Sequence, residues 1–166
     1  MAVSPTFTAD KFGTYEVSLV VNDGTVNSVA DTVTITTSNS APVANAGPDQ
    51  TPYVNETVTL NGGGSTDVDG DLLTYTWTFT SRPANSNATL SDVQAVNPTF
   101  TIDKAGTYVV SLVVNDGTVD SNQADTVTIS TLNSAPVAEA GADQSAYVND
   151  VVTLDGSGST DVDGAC

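Results

Sequence analysis

The chain has no histidine, and its single cysteine, Cys166, is its last residue. The first absence removes the commonest general base and transition-metal ligand. The second rules out an internal disulfide framework or a thiolate metal site. Basic residues are almost missing: Lys11, Arg82 and Lys104 stand against twenty acids, for a net charge of −17. Phosphate binding needs a basic patch, so nucleic acid is excluded as a partner, and an anionic membrane surface with it. No apolar run is long enough for a membrane-inserted helix, and no signal peptide is present. Two readings of the acidity stand. Cations are its counter-partners, calcium first, or dispersed acids keep a secreted protein soluble.

What is present repeats. Pro5-Thr6-Phe7-Thr8 through Asn39-Ser40 returns as Pro98-Thr99-Phe100-Thr101 through Asn133-Ser134. Ala41-Pro42-Val43-Ala44 through Asp69-Gly70 returns as Ala135-Pro136-Val137-Ala138 through Asp163-Gly164. The offset is about 94 residues, the size of a small domain rather than of a solenoid repeat. The pattern divides the chain into the back half of a unit (2–40), a complete unit (41–134) and the front half of another (135–164). Met1 precedes Ala2-Val3-Ser4-Pro5, which aligns with Ala95-Val96-Asn97-Pro98 inside a unit, so Met1 reads as an added start. The missing signal peptide then says nothing about compartment.

Within the complete unit the hydrophobic pattern alternates with period two, the mark of half-buried strands. Leu73, Tyr75, Trp77 and Phe79 alternate with threonines. Val58 and Leu60, Phe100 and Ile102, and Val127 and Ile129 do the same. The run Tyr108 to Val114 is apolar on both faces, which predicts a central strand. Gly62-Gly63-Gly64, Asp69-Gly70-Asp71, Lys104-Ala105-Gly106 and Asn115-Asp116-Gly117 supply turns. About seven short strands at this spacing predict an all-β, immunoglobulin-like β-sandwich, with Trp77 filling the gap between the sheets. Asp103-Lys104-Ala105-Gly106-Thr107-Tyr108 has the form of a tyrosine corner, and Val110 stands where antibody domains place a cysteine.

These residues resemble the polycystic kidney disease (PKD) domain family. The resemblance rests on Ala41-Pro42-Val43-Ala44-Asn45-Ala46-Gly47-Pro48-Asp49-Gln50, Val58-Thr59-Leu60, Gly64-Ser65-Thr66-Asp67, Asp69-Gly70-Asp71 and Tyr75-Thr76-Trp77. It continues through Ala105-Gly106-Thr107-Tyr108 and Val113-Val114-Asn115-Asp116-Gly117. The similarity is to members found in tandem in large secreted or surface prokaryotic proteins. It implies an extracellular or cell-surface spacer or binding module with no catalytic activity. One departure matters: Trp77 is followed by Thr78-Phe79-Thr80-Ser81 rather than the family's frequent acidic turn. Any role tied to that turn does not carry over.

The strongest candidate chemistry is a calcium site. Asp67, Asp69 and Asp71 alternate around a glycine and can converge on a hard cation. The sandwich topology brings the loop of Asp116 and Asp120 to the same end, along with the incoming linker Asn39-Ser40-Ala41-Pro42. A cation held by Asp67, Asp69, Asp71 and Asp116 would bridge two loops at the joint with the preceding unit. The competing reading has these aspartates only capping turns. Asp23, and Asp161 with Asp163, are the corresponding residues of the half-units. Asn55-Glu56-Thr57 and Asn87-Ala88-Thr89 match the glycosylation pattern, which arises by chance in a chain this rich in Asn and Thr. Nothing pairs an acid and a base across a cleft, so the chain reads as no enzyme. Cys166 reads as an anchor point or as an incidental terminal residue.

Three functions follow as expectations. The first is a non-catalytic extracellular spacer and adhesion module of a repetitive protein, touching neighbouring repeats. The second is a self-assembling filament subunit, joined to copies of itself head to tail through complementary half-units. A unit reunited in that way lacks the equivalents of residues 71–94, including the tryptophan strand. The third is an accessory module of a secreted hydrolase, bound to an extracellular polymer.

Overall fold

The computed structural model describes residues 4–164; Met1 and Cys166, and the readings attached to them, lie outside the described residues. Among the described residues seven strands form in order: β1 (Thr14–Leu19), β2 (Asp31–Thr36), β3 (Thr57–Thr59), β4 (Thr74–Ser81), β5 (Thr99–Thr101), β6 (Thr107–Asn115) and β7 (Asp125–Ser130). Among the described residues there is no helix, so none is long and apolar enough to cross a membrane. All strand pairings are antiparallel: β4-β6-β7 make one sheet, β3-β5 a second, and β1-β2 a separate hairpin.

The two sheets of the central region close over one core, as the period-two pattern dictates. Val58, Leu60, Phe100 and Ile102 face inward from the β3-β5 side. Trp77, Tyr108, Val110, Leu112, Val114, Val127 and Ile129 meet them from the other. β6 lies between β4 and β7, the central place its two apolar faces require. Trp77 is 1% exposed, and its Nε1–H donates to the Ala95 carbonyl at 3.0 Å, so burial leaves the indole's polar handle satisfied. Phe79 packs edge-on against Phe100 with centroids 5.0 Å apart, and Phe100 lies 5.5 Å from Tyr108. Gly62 lets the chain pack close here: a Cβ would come within 3.0–3.1 Å of the Tyr75 and Trp77 rings, which would have to give by a few tenths of an ångström.

The tyrosine corner forms. Tyr108 Oη donates to Asp103 Oδ1, lies 2.8 Å from the Lys104 carbonyl and accepts the Lys104 N–H. Burial pushes the Asp103 carboxyl up, but hydrogen bonds from Ser86, Asn87 and Tyr108 outweigh it and hold it down at about 2. The phenol is pushed up, by burial first and then by Asp103.

Five strands, not seven, form between residues 41 and 134. The expected first strand is broken by Gly47, at φ +79°, and by Pro48, which has no N–H to donate. On one side of the break Val43 bridges Thr66; on the other Gln50 pairs in parallel with Ile129 of β7. Residues 82–98 run as a loop along β4, with Trp77 N–H bonded to the Val93 carbonyl.

The half-units keep less of the pattern. β1 and β2 repeat β6 and β7 in register and turn, and Tyr15 Oη caps Lys11 as Tyr108 caps Lys104. The fifth strand expected at Thr6–Thr8 does not form, nor do the first and second expected in 135–164, where Val137↔Thr160 is an isolated bridge. A strand needs a partner. Residues 99–101 find one in β3, whereas residues 6–8 have none.

Candidate cation site at the linker

The acidic loop lies between β3 and β4. Asp67 Oδ1 accepts the N–H of Asp69 at 2.8 Å and of Asp71 at 3.3 Å, wrapping the loop around Gly70, whose φ is +77°. This wrap brings the three side chains together. One carboxylate oxygen from each of Asp67, Asp69 and Asp71 lies within 4.8 Å of the other two. Asp67 and Asp69 are half-buried and Asp71 is exposed. Asp67 Oδ2 is buried and accepts no hydrogen bond.

Asp116 is not in that group. Its Oδ1 takes the Thr118 N–H and hydroxyl and the Val119 N–H, at 2.7–2.8 Å. Its Oδ2 accepts the Asn39 side-chain amide at 2.8 Å. Both oxygens are therefore committed. The Asn39 amide, followed by the Val119 N–H, holds this carboxyl well below the usual carboxylate range. In the first half-unit Asp23 makes the same turn through Thr25 and Val26, and its carboxyl is lowered to about 2. Asp116 thus serves as a turn cap that also grips the linker.

The linker is held from both loops. Ser40 N–H donates to Asp69 Oδ2 at 2.7 Å while Asn39 reaches Asp116. Asn39 Oδ1 is buried without a donor, a second unpaired oxygen at this joint. Lys11 Nζ, from the preceding half-unit, bonds the Asp69 carbonyl at 3.3 Å. At the next joint Ser134 N–H bonds Asp163 Oδ2, and Asp163 Oδ1 is again unpaired. There the position matching Asp71 is Ala165, so the third carboxylate has no counterpart. The parts taken by Asn39, Ser40 and Lys11 were not read from sequence; the recurrence of Asn-Ser-Ala-Pro at 39–42 and 133–136 was the available signal.

A helix-free, two-sheet sandwich with a tyrosine corner and loops gathered on the incoming linker defines an immunoglobulin-like β module. A family profile described as PKD domain matches residues 39–131, more than half of the chain. The chain belongs to the PKD domain family, whose domains are typically extracellular adhesion and spacer modules. It is similar to mouse dyslexia-associated protein KIAA0319-like protein, with 31% identity over 153 residues and 89% of this chain covered. It is also similar to human dyslexia-associated protein KIAA0319, at 30% identity over 159 residues and 90% of this chain. The chain spans 14% of the length of each of these relatives. Among solved structures, the PKD domain from KIAA 1837 protein aligns at 27% identity with a TM-score of 0.45, over 66% of this chain and 99% of that one.

Proposed function

We propose that this chain is a non-catalytic spacer and adhesion segment of a repetitive extracellular or surface protein, with units at 2–40, 41–134 and 135–164. Calcium at Asp67, Asp69 and Asp71 stiffens the joint between units. The observation that carries this reading is the grip on the linker: Ser40 and Asn39 are bonded to Asp69 and Asp116, aspartates of the unit that follows. The same loop gathers three carboxylates and leaves Asp67 Oδ2 buried without a partner. A divalent cation would satisfy that oxygen and offset the repulsion among like charges in a chain of net charge −17. Three carboxylates, one of them exposed, suit weak binding in the millimolar range of extracellular modules. Asp116 lends the site structure rather than an oxygen.

The test is a calcium titration of the whole chain, followed by thermal melting. Calcium at ten times its dissociation constant raises Tm by about 5 °C or more, chelator reverses the rise, and Asp67→Asn abolishes it. An unchanged Tm with calcium and with chelator overturns the metal reading. The spacer reading is tested separately by X-ray scattering. It expects an extended particle; a maximum dimension matching one compact globule of this mass overturns it.

A further inference from the structure

We propose that the complete unit binds small amphipathic carboxylates, molecules with an apolar tail and one anionic head, at the open side of its sandwich beside β4. A groove of about 480 Å³ lies there, within the size range of small-molecule sites. It is formed wholly by residues 76–93. One wall is the free edge of β4, to which Trp77 and Phe79 contribute. The other wall is Ala88, Leu90 and Val93, on a segment fastened to the opposite sheet. There Ser91 N–H donates to the Thr99 carbonyl of β5 at 2.8 Å, and Ser91 Oγ accepts the Thr99 N–H at 2.9 Å. Two bonds tie the walls together. Trp77 N–H donates to the Val93 carbonyl at 2.9 Å, and Arg82 Nη1, just past the end of β4, donates to the Ala88 carbonyl at 2.6 Å. Beside these ties the apolar side chains stay partly open: Phe79 and Leu90 are half-buried, and Val93 is 48% exposed.

The chemistry of the lining selects the occupant. The chain carries twenty acids and three cations, yet no acid lines this groove and one of the three cations, Arg82, does. Its guanidinium carbon sits 5.2 Å from the centroid of the Phe79 ring, so the charge is held at the apolar wall. The bond to Ala88 uses one of its N–H donors; among the described residues the others have no hydrogen-bond partner. A carboxylate fits these donors as a forked pair, and the tail behind it covers Phe79 and Leu90. A cationic ligand meets the opposite field. The net charge of −17 draws it to the chain, but Arg82 repels it at this groove. An anion that binds so acidic a chain is therefore held by local contacts. The groove is separate from the acidic loop of Asp67, Asp69 and Asp71, so neither reading depends on the other.

Titration of the isotope-labelled whole chain, followed by amide NMR, tests this with two probes of equal tail, sodium decanoate and decylammonium chloride. Decanoate shifts the amide signals of Phe79, Arg82, Leu90 and Val93 and saturates, with a dissociation constant of about 2 mM or tighter. Decylammonium binds there at least about tenfold more weakly. Arg82→Met keeps an apolar stem but weakens decanoate about tenfold and loses the preference for the anion, whereas Arg82→Lys keeps that preference. Leu90→Gln weakens both probes. Amide dispersion in the same spectra reports that each variant folds. The absence of saturating shifts at about ten times the expected constant overturns the proposal. So do shifts centred elsewhere on the chain, a parent that prefers decylammonium, or an Arg82→Met that binds decanoate as the parent does. Should Arg82→Met fail to fold, the two probes compared on the parent and on Arg82→Lys decide it.

Discussion

The β1–β2 hairpin and the β6–β7 hairpin carry nearly the same sequence and make the same local structure in different surroundings. Both pair in the same register, both cap the chain before the first strand with a tyrosine hydroxyl, and both close a turn on an aspartate. They differ in what lies across from them. Val127 and Ile129 are fully buried, whereas Val33 is 56% exposed. Register, turn and corner are therefore local properties, set by alternation and by Asp-Gly and Ala-Gly-Thr-Tyr chemistry. Burial is not local: it depends on β3, β4 and β5 and the segments joining them. Most of the hydrophobic stabilisation belongs to the second hairpin.

Trp77→Ala gives the largest test of that contrast. It removes the largest fully buried side chain and should cost about 3–5 kcal/mol, a large share of the roughly 5–15 kcal/mol of a small domain. Chemical denaturation followed by circular dichroism measures it, and a cost below about 1 kcal/mol would break the assignment of the core to this strand. The paired tyrosines sharpen the contrast. Tyr108→Phe leaves the Lys104 N–H and Asp103 short of a partner and should cost about 1–3 kcal/mol. Tyr15→Phe makes the same change where water can substitute, so the Trp77-monitored midpoint should move by less than about 0.5 kcal/mol. Equal losses would show that the first hairpin is as integral to the fold as the second.

Acid titration tests the same capping hydrogen bonds from the side of the acceptor. The carboxyls of Asp103 and Asp116 lie below their unfolded value of about 3.9 in the folded chain, Asp103 at about 2. Protons therefore bind the unfolded chain more readily. The stability these groups contribute is complete above about pH 4 and is lost as pH falls from about 4 towards 2. Urea midpoints across that range should fall, and Asp103→Asn should make the fall shallower. A parent midpoint that holds level down to pH 2 would argue against these hydrogen bonds.

Much of this was legible in the sequence because it is local. Alternation marked β4, β6 and β7, the indole marked the core, and Asp67, Asp69 and Asp71 lie close enough in sequence to converge by a turn alone. Asp116 was legible as an acid at the correct end but not in its role. Thr118 and Val119, within its own turn, saturate one oxygen, and Asn39, 77 residues away, takes the other. The broken first strand was signalled by Gly47-Pro48, yet its crossing from Thr66 to β7 depends on where two distant strands lie. The strands missing from residues 6–8 and 135–164 follow the same rule. Alternation states a willingness to pair, and the partner decides.

The bonds that fix residues 39 and 40 come from carboxylates downstream of them, and residue 134 is held in the same way from residue 163. The grip on residues 39, 40 and 134 thus runs mainly from later residues to earlier ones, with Lys11 returning one bond to the Asp69 carbonyl. As the spacer proposed above, the chain would be stiffened from its C-terminal side towards its N-terminus.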